Sequence, residues 1–193
     1  MKLSNNFYAH EFLHDIEWED LSLPNQFLLK VLCDTVLQPI RDFLAKEYGR
    51  EIILNVSSGV RDEKDVDRLI KQGYHPSSRS DHFYSNAIKT TSSRDRKRFG
   101  KYFTYGAGAA DIIPEGVSIR EVFDKICDGI KSGRLDIKYG QIIFEKRTHS
   151  TGWIHISNSK TRAMSAGMID AVDFSIEGKL MMSLDNGKTY KVV

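Results

Sequence analysis

Two histidines and a glutamate stand close together near the start of the sequence, in the segment HEFLH at residues 10–14. On a helix, His10 and His14 would lie on one face as zinc ligands, with Glu11 as the base for an attacking water. However, too few residues precede His10 to build the sheet on which such a helix packs, and no third ligand follows at the spacing of the extended motif. We therefore expect this segment to form a surface turn of helix and not a zinc site.

Three later segments contain a second set of reactive side chains. The first, VLQPIRDFLAKEYGREIILNVSSGVR, predicts a helix and a strand followed by S-G-x-R. The second consists of SDHFY and, further along the chain, GAGAADI. The third, QIIFEKRTHSTGWIHIS, places a glutamate ahead of a histidine with apolar neighbours on both sides. In this order the segments resemble the zinc D-alanyl-D-alanine carboxypeptidases, a family that includes phage L-alanyl-D-glutamate endopeptidases and shares its fold and metal site with the Hedgehog signalling domain.

The resemblance covers roughly residues 5–160 and implies a set of metal ligands. In this family the ligands are a histidine in S-x-H, an aspartate in A-x-D and a histidine near the end of the domain, which here are His82, Asp111 and His155. Two histidines and one carboxylate leave a fourth position open for water, as in catalytic rather than structural zinc sites. The resemblance therefore implies Zn²⁺ as the cofactor.

The resemblance also implies the residues that would act on a substrate. A carboxylate before the last ligand is the family's general base, and here Glu145 fits this position. It could take a proton from the attacking water and pass it to the leaving amine. The arginine of S-G-x-R, here Arg61, binds a substrate carboxylate through its bidentate fork, and Ser80 is assigned to the same substrate-binding role.

The spacing of these residues departs from the family pattern. The family places its first histidine and its aspartate only a few residues apart, whereas 28 residues lie between His82 and Asp111. We interpret residues 83–104 as an insertion that folds out as a loop beside the cleft. The small residues before Asp111 favour this interpretation, because close packing beside a metal requires Gly and Ala. Glu145 also precedes the last ligand by nine intervening residues, which is more than usual.

Each candidate residue also has an ordinary structural interpretation. His155 could be a core histidine with satisfied hydrogen bonds, and Asp111 could cap a turn before Ile-Ile-Pro. Arg61 could pair with Asp62 or Asp65 on a solvated helix. The three-dimensional arrangement has to distinguish these interpretations from the catalytic ones.

Hydrophobic periodicity predicts the elements that would position these residues. Ser22 is suited to cap a helix that Pro39 should kink or split and that Gly49 should end. A polar helix should follow and end near Gly73. Strands are predicted in EIILNV (51–56), YGAGAADIIP, YGQIIFE and GWIHIS, an amphipathic helix in SIREVFDKICDGIKSG, and a hairpin in the tail KLMMSLDNGKTYKVV around Asn186-Gly187. The mixture favours an α+β fold, and the resemblance implies a mainly antiparallel sheet packed by helices.

The composition excludes several classes of partner. The 193 residues are 40% hydrophobic and 28% charged, and a net charge of +2 gives no reason to expect a nucleic-acid partner. No apolar run approaches the ~20 residues that a membrane span needs, and the N-terminus lacks the apolar core of a secretory signal. The two cysteines, Cys33 and Cys127, lie in helix-like apolar patterns and are expected to be buried thiols in a reducing compartment.

These observations lead to one main expectation and one alternative. Residues 1–160 should form a zinc peptidase-like domain, and residues 161–193 a C-terminal β-hairpin extension. The resemblance implies a monomeric enzyme that cleaves peptidoglycan stem peptides, as a D-Ala-D-Ala carboxypeptidase or an L-Ala-D-Glu endopeptidase of the phage endolysin type. It would have no nucleic-acid or membrane partner, and would reside in the producing or infected cytoplasm, or on a virion, and act on the cell wall. The alternative is a non-catalytic, metal-binding structural or binding module of a phage particle with the same fold.

Overall fold

The computed structural model of the chain describes residues 1–74, 80–82, 107–147, 151–158, 178–185 and 187–193. The described part is an α+β fold with a six-stranded, mostly antiparallel sheet, which confirms the predicted class. The helices are α1 (His10–Leu13), α2 (Leu23–Leu32), α3 (Gln38–Tyr48), α4 (Glu63–Lys71) and α5 (Ile119–Lys131). The strands are β1 (Leu54–Ser58), β2 (Ala109–Pro114), β3 (Tyr139–Lys146), β4 (Gly152–Asn158), β5 (Lys179–Ser183) and β6 (Lys191–Val192).

The predicted long helix continues past its proline, but its hydrogen-bonding pattern changes just before it. The side chain of Ser22 accepts a hydrogen bond from the backbone N–H of Asn25 and caps α2. Between α2 and α3 lies a turn of π-helix, Cys33–Leu37, and Pro39 occupies the first turn of α3. Because proline lacks the N–H that would continue the α-helical hydrogen-bond ladder, the chain tolerates it best where that ladder is already interrupted. Gly49 follows the last residue of α3, as predicted.

The strand order is β1-β2-β4-β3-β5-β6, and every neighbouring pair is antiparallel except β3 and β5. Helix α5 packs on β2, β3 and β4, and α2 contacts β4, so one face of the sheet is covered. Ile154 and Ile156 of β4 point into this core with Ile142 of β3. Because side chains alternate along a strand, His155 lies on the other face. That second face carries the candidate residues.

The C-terminal strands continue the same sheet. Strand β5 runs parallel to β3, and β6 pairs antiparallel with β5, which agrees with the hairpin predicted for the tail. Asn186 of its turn lies outside the described residues, as do the predicted insertion at 83–104 and residues 159–177.

Two further expectations concern the buried interior and the membrane. Cys33 and Cys127 are both buried and unpaired by a disulfide, as predicted from their apolar surroundings. Burial raises the pKa of each thiol, that of Cys127 to about 11, so both stay protonated at neutral pH. Within the described ranges, no helix has both the length and the apolar character that crossing a membrane requires.

Candidate metal centre

Three chain segments that are distant in sequence bring His82, Asp111 and His155 together. Asp111 of β2 and His155 of β4 are direct partners in the antiparallel ladder, and His82 lies over them from the segment 80–82. One ligand atom from each side chain lies within 4.8 Å of the other two. All three residues are buried, with at most 8% of the surface of any of them exposed. In the part of the chain that the structure describes, this is the one group of histidine and carboxylate side chains close enough to hold a metal ion.

The distances within the group suit a single small cation. His82 Nε2 and His155 Nδ1 lie 2.9 Å apart, and each is 3.1 Å from Asp111 Oδ1. A tetrahedral zinc ion with bonds of about 2.0–2.1 Å would separate its ligand atoms by roughly 3.3–3.4 Å. The three atoms therefore need to move by only a few tenths of an ångström to bind such an ion.

The hydrogen bond between His82 and the backbone of Gly59 determines which nitrogen of the His82 ring carries the proton. His82 Nδ1 lies 2.7 Å from the carbonyl oxygen of Gly59, which can only accept, so Nδ1 carries the proton and Nε2 is left with a lone pair. This lone pair points at the carboxylate of Asp111, which is also an acceptor. Such a buried arrangement of two facing acceptors is favourable only if a shared proton or a cation lies between them.

Gly59 itself is required by the packing beneath the site. A Cβ at this position would lie 2.4 Å from the carbonyl oxygen of Phe12 in α1, so any larger residue would push β1 away from that helix. The neighbouring N–H of Val60 donates to the same carbonyl at 2.8 Å, and the N–H of Arg61 donates to the carbonyl of His82 at 2.9 Å. The Ser-Gly turn of the S-G-x-R sequence thus connects α1, the end of β1 and the His82 segment.

Arg61 is directed at the metal-ligand group. Its Nε donates to Ser58 Oγ at 2.8 Å, and its Nη2 donates to Oδ2 of Asp111. Asp111 therefore offers Oδ1 to the histidines and Oδ2 to the guanidinium. The alternative pairing of Arg61 with Asp65 is not what the structure shows, since Asp65 pairs with Arg68 at 2.6 Å.

Ser80 and Asp62 have local structural contacts. The hydroxyl of Ser80 accepts a hydrogen bond from the backbone N–H of His82 at 3.3 Å and so helps to shape the turn that carries this ligand. Asp62 caps α4 by accepting from the N–H of Asp65 at 2.8 Å. The substrate-binding roles given to Ser80 and Arg61 by the resemblance stay predictions.

The environment shifts the pKa values of the three candidate ligands in different directions. Burial, aided by the positive charge of Arg61, lowers the pKa of His82 to about 4. Burial alone would raise the pKa of Asp111, but its interactions with His82, Arg61 and His155 hold it well below its usual range. Burial would also lower the pKa of His155, but its hydrogen bond to the Asp111 carboxylate and the charges around it raise this pKa instead. A cation entering the group would thus meet an ionised carboxylate and a neutral His82, and would displace the proton from His155.

Glu145 lies on the same face of the sheet, one step along β3 from the group. Ile143 is the register partner of His155, and Glu145, two residues further, lies opposite Trp153 on β4 and Ser183 on β5. Burial and the negative charge of Asp111 raise the pKa of Glu145. A partly buried carboxylate with a raised pKa beside a metal-ligand group has the properties of a general base.

The side of the site near Glu145 contains residues that sequence reasoning did not place there. Tyr190, from the C-terminal segment, has its hydroxyl oxygen 3.5 Å from Oε1 of Glu145. On the adjoining side, the ring of Trp153 lies 6.4 Å from that of Tyr74, over which the guanidinium of Arg147 stacks at 4.8 Å. The sequence predicted a C-terminal hairpin, but nothing in it indicated that this hairpin pairs with β3 and so reaches Glu145.

The HEFLH segment is not part of the site. Helix α1 is a single turn that ends at Leu13, and His14 follows with φ of +47°, so the two histidines do not share a helical face. Both are exposed, while Phe12 and Leu13 are buried in the core. The prediction that this segment is a surface turn of helix is confirmed.

Acid should destabilise the metal-free protein through His82. The pKa of His82 is lowered from 6.5 to about 4, so between these values the unfolded chain binds a proton that the folded chain does not. The free energy of unfolding should therefore fall as the pH falls from 7 to 4, with a contribution from this group of about 3 kcal/mol. Urea denaturation of chelator-treated protein across this range, compared with the His82→Asn variant, measures it.

The other buried groups change the free energy of unfolding in other pH ranges, or change it equally in the wild type and in the His82→Asn variant. The depressed pKa of Asp111 gives stability that is present above 3.8 and is lost only at more acid pH. The raised pKa of His155 gives stability that is complete below 6.5 and is lost as the pH rises through the folded-state pKa. Glu145, with a raised pKa, opposes His82 just above pH 4.5 in both proteins. Equal pH slopes for the wild type and the variant would contradict the assignment to His82.

Comparison with known proteins assigns no function to this site. The chain matches no protein-family model, no curated protein and no solved structure.

Proposed function

We propose that this protein is a zinc metallopeptidase with a fold like that of the D-Ala-D-Ala carboxypeptidases and the Hedgehog domain, and that it hydrolyses peptide bonds in peptidoglycan stem peptides. The observation that carries the proposal is the convergence of His82, Asp111 and His155 in a buried group with Glu145 on the same face of the sheet. Two histidines and one carboxylate are the ligands of catalytic zinc sites, and the sequence order of the motifs points to this family.

In the proposed mechanism each residue has a separate task. His82, through Nε2, His155, through Nδ1, and Asp111, through Oδ1, would hold the ion, which when bound lowers the pKa of a water molecule and polarises the scissile carbonyl. Glu145 accepts the proton of the attacking water and delivers it to the departing amine. Its raised pKa strengthens it as a base for this transfer.

Arg61 would contribute both to the ligand group and to substrate binding. Its hydrogen bonds to Ser58 and Asp111 use two of the five N–H groups of the guanidinium. The other three N–H groups have no hydrogen-bond partner among the described residues, and in this proposal they bind a substrate carboxylate, as expected for stem peptides that contain D-Glu and end in D-Ala. In this proposal Ser80 supports the same substrate-binding edge through the turn that carries His82.

Peptidoglycan cleavage that depends on a divalent metal is the direct test. Purified protein incubated with peptidoglycan should release new peptide termini that mass spectrometry assigns to one bond type, either D-Ala-D-Ala or L-Ala-D-Glu. A chelator should abolish the release, and added Zn²⁺ should restore it, because in this proposal the bound ion activates the attacking water and polarises the scissile carbonyl. Release that is unaffected by the chelator would contradict the proposal.

One outcome would favour the alternative function. A protein that binds one zinc ion tightly but cleaves no peptidoglycan fragment would be a non-catalytic metal-binding module, such as a structural or binding module of a phage particle. The position of Glu145 argues for the enzyme, because a metal-binding scaffold needs no partly buried carboxylate beside its ligands.

A further inference from the structure

The C-terminal segment forms one side of the candidate active site. Ser183, at the end of β5, is the parallel register partner of Glu145, and a turn that the structure describes at residues 184–185 and 187–190 follows before β6. This turn brings the phenol of Tyr190 to Glu145, with Tyr190 Oη 3.5 Å from Glu145 Oε1. The tail is therefore in contact with the residue that the proposed mechanism uses as its base.

The turn is shaped by a set of internal hydrogen bonds. The carboxylate of Asp185 accepts from the backbone N–H groups of Lys188 and Thr189 and from the Thr189 hydroxyl, at 2.6–3.1 Å. It also accepts from the hydroxyl of Ser183, which in turn accepts from the N–H of Gly187 at 2.9 Å. These bonds lower the pKa of Asp185 to about 2, so the turn keeps its ionised carboxylate at any pH where the enzyme would work.

Gly187 lets the turn approach the side chains of Tyr190 and Glu145 closely. Its φ of +77° is one that glycine adopts without strain. A Cβ at this position would lie 3.1 Å from the phenol oxygen of Tyr190 and 3.7 Å from Oε2 of Glu145. The backbone of the turn thus packs against both side chains, and a Cβ at Gly187 would require the Tyr190 phenol to move by a few tenths of an ångström.

We propose that Tyr190 is a positioning residue that holds the carboxylate of Glu145 by donating a hydrogen bond to it, so that the C-terminal hairpin is part of the active site. This inference rests on the proposed function for its catalytic meaning. The phenol is a permanent donor, because burial and the negative charge of Glu145 raise the pKa of Tyr190 to about 12. Hydrogen bonds of this kind are often long in metal-free sites and shorten when the reacting groups are in place.

The groups around Glu145 determine in which direction its pKa should change when the phenol hydroxyl is removed. Asp111 of β2 raises the pKa of Glu145, while His155 of β4, Arg61 after β1 and the hydrogen bond from Tyr190 lower it. Removing the phenol hydroxyl leaves the other groups in place. The pKa of Glu145 should therefore rise in the Tyr190→Phe variant.

Tyr190→Phe and Tyr48→Phe form a matched pair of variants. Tyr48 also donates to a glutamate, Glu121 Oε1, at 3.0 Å, but on α3 and α5 at the surface. In Tyr190→Phe we expect kcat for a peptidoglycan peptide to fall by about threefold to tenfold, with KM and zinc content little changed and the acidic limb of the pH profile moved to higher pH. Tyr48→Phe should match the wild type in all of these measurements.

A measurement without turnover separates this inference from the proposed function. Titration of the Glu145 side-chain carboxyl by carbon NMR should give a higher pKa in Tyr190→Phe than in the wild type and in Tyr48→Phe, in zinc-loaded and metal-free protein alike. An unchanged Glu145 pKa in Tyr190→Phe would overturn the inference. If the wild type cleaves no peptidoglycan but the NMR shift is present, the proposed function fails while the contact between Tyr190 and Glu145 stands.

Discussion

Replacing His155 with alanine should release the metal and abolish metal-dependent hydrolysis. His155 supplies Nδ1 to a group whose three ligand atoms lie 2.9–3.1 Å apart, and a carboxylate and one imidazole alone cannot complete a tetrahedral site. Because loss of an outer-shell partner already weakens metal binding by about 10–100-fold, loss of a direct ligand should weaken it by more than about 100-fold. Metal content after dialysis, measured by mass spectrometry of the bound ion, together with a competition titration, gives this value.

The HEFLH segment provides the control for this experiment. The His10→Ala/His14→Ala double variant removes two histidines that are exposed and that lie outside the ligand group. It should retain one metal ion per chain with unchanged affinity. Loss of the metal from the double variant but not from His155→Ala would place the ion at the N-terminal segment and refute the site at His82, Asp111 and His155.

The order of the motifs was enough to predict which residues meet. The segment GWIHIS was predicted to be a strand, and β4 lies there, with His155 on the face opposite Ile154 and Ile156. The small residues before Asp111 predicted a close-packed strand, and β2 indeed pairs with β4 so that the two candidate ligands are opposite each other. Side-chain alternation is a local property, so the sequence alone contains this information.

Long-range pairing could not be predicted in the same way. Strand β1 was predicted at 51–56 and lies at Leu54–Ser58, because its position depends on pairing with β2 and on the contact between Gly59 and Phe12. The hairpin of the tail was predicted, but its parallel pairing with β3 was not, since both edges of an apolar strand offer the same hydrogen-bonding groups. Tyr190 reaches Glu145 only through that pairing.

The direction of the Arg61 side chain also depends on the tertiary structure. From the sequence, a pairing with the neighbouring Asp62 or Asp65 was as reasonable as a role in substrate binding. The structure directs Arg61 to Asp111, because the N–H of Arg61 is bound to the carbonyl of His82 and the turn after Ser58 points the side chain inward. A hydrogen bond from Arg61 to the Asp111 carboxylate does not follow from the spacing of the S-G-x-R sequence.

Replacing Glu145 with glutamine should leave zinc bound and remove most of the turnover. The amide keeps the shape of the side chain but cannot accept the proton of the attacking water, so kcat should fall by a factor on the order of 10² or more. Zinc content should be unchanged, because Glu145 is not one of the three converging ligands. Steady-state hydrolysis of a peptidoglycan fragment, together with metal analysis of the same samples, measures both quantities.

The control for this variant is Glu121→Gln. Glu121 also accepts a hydrogen bond from a tyrosine, Tyr48, but it lies on α5, the helix that packs against the other face of the sheet. Glu121→Gln should therefore keep the wild-type rate, so that a loss confined to Glu145→Gln reports on the site itself. If Glu145→Gln hydrolyses the fragment at the wild-type rate, Glu145 is structural, and another group near the three candidate ligands must accept the proton. Because Glu145 lies on the same face of the sheet as His155 and has a raised pKa, we expect the rate to fall.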